Sequence, residues 1–330
     1  MSLPDRDVRQ LRRERERGRQ VRRRRAAAVG GLVIVALLVA GVALAATGGS
    51  NPSSAGRAAG SKGLAASGRA SAHAATSKTA GLAQAKGTGV PGNATVPILM
   101  YHVINPPFPN SPYPGLYVPP AEFAAQMQAL KAAGWHAVTM DQLEANWTRG
   151  VPLGPGKPIV LSFDNGYASQ YTNAVPVLKR LGWVGVENIQ LSGLPPSEGG
   201  LTDAQVRGLV AAGWELDTQG ISHADLIALD AAGLHYQIDT ARQTLRRRYG
   251  VRVNWFCYPS GHYNATVIAA VRAAGFVGST TVVPGWASRS EDLYRLPRLR
   301  VLGGTSPSAL LAQIASAESA PEPPSSYGSS

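Results

Sequence analysis

The amino-acid sequence predicts an α/β fold, a distorted (β/α) barrel of about seven or eight strands, preceded by one transmembrane helix. From residue 96 onward, short runs of β-branched and aromatic residues alternate with stretches of helical periodicity, a pattern typical of a largely parallel sheet. About seven or eight such units within roughly 220 residues favour a closed or nearly closed barrel. An open three-layer sheet is the alternative.

The predicted transmembrane helix covers residues 26–46, which contain no charged or strongly polar side chain. Its length matches the roughly 20 residues that a helix needs to cross a bilayer. Residues 1–25 contain eleven arginines, and such dense positive charge stays in the cytoplasm. We therefore expect a basic cytoplasmic tail at residues 1–25 and a carboxy-terminal domain outside the cell membrane. A cleaved signal peptide is the alternative, because Ala43-Leu44-Ala45 has a small-x-small form, but the apolar run is longer than such peptides use.

The net charge of +12 lies outside the predicted domain. Residues 1–25 carry +7 and residues 47–95 carry +5, which leaves residues 96–330 neutral. No nucleic-acid-binding face is therefore expected on the domain. Residues 47–95 are mostly Gly, Ala, Ser and Thr without apolar periodicity, which predicts a flexible linker. The domain is predicted at residues 96–316, with a disordered tail at residues 317–330.

Strands are predicted where short apolar runs lie between turn residues. They fall at residues 96–101, 136–140, 159–163, 184–189, 214–216, 255–258, 277–281 and 299–302.

Helices are predicted between these strands by apolar side chains at helical spacing. Phe123, Met127 and Leu130 fall at i, i+4 and i+7, with Gly134 where a helix ends. Asp141 and Glu144 form a D-x-x-E pattern that predicts the start of the next helix. Further helices are predicted at residues 175–181, 202–212, 230–248 and 264–274, and from residue 306.

Cys257 is the only cysteine, so no disulfide forms within the chain. Its neighbours are apolar and aromatic, which predicts a buried and unreactive thiol.

Polar residues cluster after three of the predicted strands, at residues 162–167, 217–223 and 256–261. With these loops, five motifs occur in order along the chain. They are VPILMYH at residues 96–102, FDNGY at 163–167, SHADL at 222–226, YPSG at 258–261 and LPRLRV at 296–301. Together they resemble the polysaccharide deacetylase family with a NodB-homology domain, over residues 96–301.

The resemblance implies a site at the carboxyl ends of the strands. In the family one Asp acts as base, and a second Asp and two His hold a Zn-type divalent metal. Asp164 then stands at the base position and His223 at a metal-binding position, with Asn165 and Gln219 where the other two ligands belong. The residues implied in substrate binding are Tyr167, Tyr258, Pro259 and Gly261.

Asn165 and Gln219 predict that the metal is bound weakly or not at all, because amide oxygens are neutral, poor ligands for Zn²⁺. Asp217 is the candidate for a replacement carboxylate. Two simpler interpretations stay open: Asp164 as a helix cap, and His223 as a hydrogen-bonded loop histidine.

The expected function is hydrolysis of N-acetyl groups on an N-acetylated polysaccharide of the cell envelope. The alternative is a catalytically silent relative that still binds the glycan. A glycoside hydrolase ranks last, because it needs two carboxylates flanking the scissile bond and only Asp164 is suitably placed. The expected partners are the glycan and, through the single helix, the membrane; nucleic acid is not expected.

Overall fold

The computed structural model describes residues 86–194 and 199–328. The predicted cytoplasmic tail, the predicted transmembrane segment and residues 47–85 of the predicted linker lie outside these ranges. None of the helices in the described ranges is long and apolar enough to cross a membrane.

The described residues contain a nine-stranded, mainly parallel sheet. Its strands are β1 Val96–Tyr101, β2 Trp135–Val138, β3 Lys157–Asn165, β4 Val186–Ile189, β5 Glu215–Thr218, β6 Trp255–Cys257, β7 Gly278–Thr280, β8 Trp286–Ala287 and β9 Leu299–Arg300.

The sheet curls as a (β/α) barrel does. Starting from β1, the parallel neighbours run β3, β4, β5, β6 and β7, and β9 pairs with the other side of β1. A single parallel bridge from Thr280 to Leu296 joins the end of β7 to the residues just before β9. β2 pairs with the first half of β3, and β8 is a short antiparallel strand on β1 that the sequence pattern did not predict.

Helices cover the outside of this sheet. They are α1 Pro120–Ala132, α2 Met140–Arg149, α3 Val175–Leu181, α4 Asp203–Ala211, α5 Ala231–His235, α6 Ala241–Tyr249, α7 Ala265–Ala273 and α8 Pro307–Ser316.

Two helices differ from their predicted form. The start of α2 is capped by Thr139, whose hydroxyl accepts from the Gln142 backbone N–H while the Gln142 side chain accepts from the Thr139 N–H. The D-x-x-E start at Asp141 is therefore wrong, because the capping box begins two residues earlier. The long helix predicted at residues 230–248 is present as α5 and α6, which a π-helical segment at Tyr236–Thr240 joins without a break.

Alternation along the strands divides the core into two parts. Leu99, Leu161 and Phe163 face the helices, whereas Ile98 and Val160 face the inside of the barrel. Each fully buried side chain of this size contributes about 1.5–3 kcal/mol of transfer free energy. Because inward-facing residues continue to the carboxyl ends of the strands, the polar residues after them are brought to one rim.

Both ends of the domain extend beyond the predicted boundaries. Residues 86–95, predicted as linker, contact α2: the Gly92 N–H donates to Asn146 O, and Trp147 Nε1 donates to Ala94 O. The carboxy-terminal segment was predicted as disordered from residue 317, but in the structure Tyr327 exchanges two backbone hydrogen bonds with Tyr263. Small and polar composition does not predict such hydrogen bonds to a neighbouring surface.

Candidate active site

The rim is shaped by a turn at the end of β3. Asn165 and Gly166 have positive φ values of 80° and 87°, a conformation that Gly and Asn tolerate best. A Cβ atom on Gly166 would lie 2.8 Å from Ile189 Cγ1, so a larger residue would also clash. The turn leaves the side chains of Asp164 and Asn165 buried at the rim.

The carboxylate of Asp164 forms a buried ion pair with Arg298. Nη1 and Nη2 of Arg298 lie 2.8 Å and 2.9 Å from its two oxygens. Asn188 Nδ2 donates to Oδ1 at 2.9 Å, and the Cys257 thiol lies 3.5 Å from Oδ2. Arg298 also donates from Nε to Thr281 O at 2.8 Å. These contacts join the ends of β3, β4, β6 and the residues before β9, and no helix cap by Asp164 is present among them.

The ion pair sets the charge of Asp164. Burial raises the pKa of this carboxyl, but attraction and hydrogen bonding by Arg298 outweigh burial and bring the pKa to about 2. Asp164 is therefore ionised at neutral pH. Near it, burial lowers the pKa of His102 to about 4, with Asp164 opposing the shift and Arg300 and Arg298 adding to it. His102 is therefore uncharged at neutral pH.

The predicted metal-binding positions lie at neighbouring strand ends. Asn165 ends β3, Gln219 directly follows β5, and His223 lies in the loop beyond, at φ 55°. Asn165 Nδ2 donates to Gln190 Oε1 at 2.7 Å, so this amide is already part of a hydrogen-bonded pair. Within residues 86–194 and 199–328, no three His, Cys, Asp or Glu side chains come together as a metal site. Two neutral amides and one imidazole do not fit a tightly held Zn²⁺.

Asp217 does not complete a ligand set. Its Oδ1 accepts from the backbone N–H groups of Asn254 and Trp255, at 3.0 Å and 2.8 Å, so the carboxyl is directed to the start of β6. Burial raises the pKa of Asp217, and Asp141 raises it further, against the effect of these N–H donors. Asp217, the candidate for a replacement carboxylate, is thus bound to the backbone at the start of β6.

The residues implied in substrate binding are unequally placed. Tyr258 is fully buried and its hydroxyl donates to Tyr294 O at 2.9 Å, so its side chain belongs to the core beneath the loop surface. Pro259 and Gly261 form a tight turn at Pro259–Gly261 and are also buried. A Cβ on Gly261 would lie 2.3 Å from Val282 Cγ2, which explains the glycine there. Tyr167 is 9% exposed and bridges to Gly200. A direct contact of these residues with a glycan stays a prediction.

Sequence reasoning missed the cation that holds Asp164. Arg298 lies in the LPRLRV motif, but no role was assigned to it. A buried arginine requires a charged partner, and that requirement was the available signal. Cys257 is confirmed as buried, and burial raises the pKa of its thiol.

Comparisons with known proteins agree with the resemblance. A family model for polysaccharide deacetylases matches residues 153–279. YxkH of Bacillus subtilis (strain 168), which carries the name of a polysaccharide deacetylase, is 30% identical over 223 residues, or 68% of this chain and 77% of that relative. The Streptococcus pyogenes deacetylase PplD, solved in complex with acetate, is 26% identical with a TM-score of 0.61, covering 68% of this chain and 99% of PplD. BC0361, a polysaccharide deacetylase from Bacillus cereus, is 25% identical with a TM-score of 0.59, covering 67% of this chain and 69% of BC0361.

Proposed function

Because this chain belongs to the polysaccharide deacetylase family, we propose that its barrel domain hydrolyses N-acetyl groups of an N-acetylated cell-envelope polysaccharide. The main observation behind this proposal is the state of Asp164. Its carboxylate lies near the end of β3, where the family has its base, and is ionised and paired with Arg298. The acetate bound to PplD, a relative with the same fold, supports the choice of reaction.

In this reaction water adds to the acetamide carbonyl carbon, the carbon–nitrogen bond breaks, and the products are acetate and a free amine on the sugar. Asp164 accepts the proton of the attacking water, and the leaving nitrogen takes up a proton. Arg298 keeps the carboxylate ionised and in place. No step is assigned to a metal ion, because Asn165 and Gln219 do not fit one.

The test is acetate release from an N-acetylglucosamine oligomer by the full-length protein. The Asp164→Asn variant should release no acetate above background, because an amide cannot accept the proton. Asp239→Asn, on the outside of the barrel near His235, is the matched control and should keep full activity. Equal rates for the Asp164→Asn variant and the unmodified protein would disprove the role of Asp164.

A second function is favoured by one contact: the hydrogen bond from Asn165 to Gln190, which occupies a position that the family uses for a metal ligand. On this alternative the domain binds the glycan and does not hydrolyse it. Binding of the oligomer without any acetate release, over several hours and with Zn²⁺ added, would favour this alternative over the first.

The location outside the membrane is proposed from the apolar segment at residues 26–46 and the arginines before it. Protease added to intact cells should digest the domain and leave residues 1–25 protected. Digestion of the domain only after lysis would contradict the proposed location.

A further inference from the structure

Three side-chain amides lie at the carboxyl ends of three neighbouring strands. Asn165 is the last residue of β3, and Gln190 and Gln219 directly follow β4 and β5. Backbone hydrogen bonds hold the three strand ends together, from Gln190 N to Asn165 O at 3.3 Å and from Gln219 N to Ile189 O at 2.9 Å. We call these three residues the amide row. Gln190 belongs to none of the sequence motifs.

The orientation of two of these amides is determined by a backbone carbonyl. Gln190 Nε2 donates to Ser192 O at 2.7 Å, and a carbonyl can only accept. Gln190 must therefore present its Oε1 to Asn165, whose Nδ2 donates to it at 2.7 Å. The other polar atom of the Asn165 amide is Oδ1. It is an acceptor directed away from Gln190.

The second acceptor of the row is Oε1 of Gln219. The side chain of Gln219 is 3% exposed, and its Oε1 is buried without a hydrogen bond to any residue in the described ranges. A buried acceptor without a partner is unfavourable, so this oxygen favours a ligand that carries an N–H or O–H donor.

The charges at the rim do not favour a cation as that ligand. The negative charge of Asp164 is compensated by Arg298. Arg300 lies two residues further along the chain, which places it on the same inner side, and it forms no ion pair with a residue that the structure describes. Near the amide row the charges of these residues therefore do not sum to a negative value, and a positively charged ligand gains nothing there.

We infer that the amide row binds an O–H or N–H group of an N-acetylated sugar where the family binds a metal, and that Gln190 is the residue that adapts the rim to this ligand. A carboxylate in place of Asn165 would face Gln190 Oε1, so Gln190 suits the amide and not the family's Asp. The inference rests on the proposed glycan as ligand, but it concerns binding, which is measured separately from acetate release.

The test is isothermal titration calorimetry of the full-length protein with an N-acetylglucosamine tetramer in the presence of EDTA. The unmodified protein should bind, and Gln190→Ala should weaken binding about tenfold or more, as expected for loss of one or two oriented hydrogen bonds. The Gln190→Glu variant keeps the size and the acceptor for Asn165 but cannot donate to Ser192 O, so it should also weaken binding. It serves as the test if Gln190→Ala does not fold.

The control is Gln128→Ala, an exposed glutamine on α1, which should bind as the unmodified protein does. Unchanged affinity in both Gln190 variants would overturn the inference, as would binding that requires added Zn²⁺, or no binding of the tetramer. Acetate release decides the proposed function independently of each of these results.

Discussion

Asp164 and Asp217 face the inside of the same barrel at the same level, since both are paired in register with Asn188. Their exposed fractions are 1% and 0%, so both lose nearly all contact with water. Nevertheless the pKa of Asp164 is lowered to about 2 by Arg298, whereas burial raises the pKa of Asp217, which has no ion-pair partner among the described residues. Burial alone therefore does not decide the charge of an inward-facing carboxyl in this barrel; its ion-pair partner does.

The surroundings of Asp217 add to the contrast. Glu215 and Asp141 lie near it, and burial, followed by the carboxyls of Asp217 and Asp141, raises the pKa of Glu215 as well. No ion pair joins Asp217 to a cation in the part of the chain that the structure describes. A proton retained by the Asp217 and Glu215 carboxyls lowers the negative charge that is buried there. Asp164 is thus ionised at neutral pH, whereas the carboxyl of Asp217 accepts from backbone N–H groups at the start of β6.

The largest effect is expected when the cation is removed. Arg298→Met leaves the Asp164 carboxylate buried and unpaired, which should lower the free energy of unfolding by about 3–5 kcal/mol at pH 7. In urea unfolding the loss should shrink toward pH 3, because Asp164 then takes up a proton. Arg149→Met, which removes an exposed pair with Glu144 at 3.9 Å, should cost no more than about 1 kcal/mol. Equal losses in the two variants would show that burial does not matter here.

The reverse effect is expected at Asp217. Its pKa is raised in the folded protein, so the folded state holds a proton that the unfolded state has lost. Stability should therefore fall as the pH rises from about 4 through the raised pKa. Asp217→Asn keeps an acceptor for the Asn254 and Trp255 N–H groups, and should raise the free energy of unfolding by roughly 2 kcal/mol at pH 8. A variant with the same dependence on pH as the unmodified protein would contradict this explanation.

A second carboxylate beside Asp164 should have the effect that neighbouring carboxyls have at Asp217, which is to place negative charges close together in a buried region. Asn165→Asp adds a negative charge that Arg298 is not free to compensate, so stability at pH 7 should fall by about 1–2 kcal/mol. Combined with Gln219→His, the new carboxylate and His223 form the ligand set of the family, and added Zn²⁺ should bind and restore stability. Calorimetric titration with Zn²⁺ measures this, with Gln219→His alone as control. No gain of Zn²⁺ affinity in the double variant would show that more than ligand identity has changed at this rim.

The smallest effect is expected at Glu187, which lies on the outer side of β4 beside Phe163. Burial, and then the charge of Asp164, raise its pKa well above the ordinary value. Because a raised pKa favours the uncharged form, which an amide resembles in size and charge, Glu187→Gln should change the free energy of unfolding by less than about 1 kcal/mol in thermal or urea unfolding. A large loss would indicate an ionised Glu187 with a partner of its own.

The sequence predicts the α/β fold class, which is confirmed, and a candidate site at the strand ends, which stays a prediction. Alternating strands and helices, with turn residues between them, predict a barrel. The spacing of apolar residues distinguishes the two kinds of element, because a strand repeats every two residues and a helix about every 3.6 residues. Asp164, Asn165 and Gln219 lie at or just after predicted strand ends. They are therefore expected at one rim, since the carboxyl ends of parallel strands lie on the same side. The prediction that amides stand where the family has metal ligands also rests on residue types alone.

The partners of these residues follow from the tertiary structure. Arg298 reaches Asp164 from 134 positions away in the chain, and the direction of Gln190 depends on the backbone oxygen of Ser192. Asp217 looked like a replacement ligand by its position, but β6 donates two N–H groups to it. Such contacts depend on the curvature of the sheet and on its register, which no local pattern encodes. Burial then sets how much each contact is worth, because a charge excluded from water is stable only beside its counter-ion.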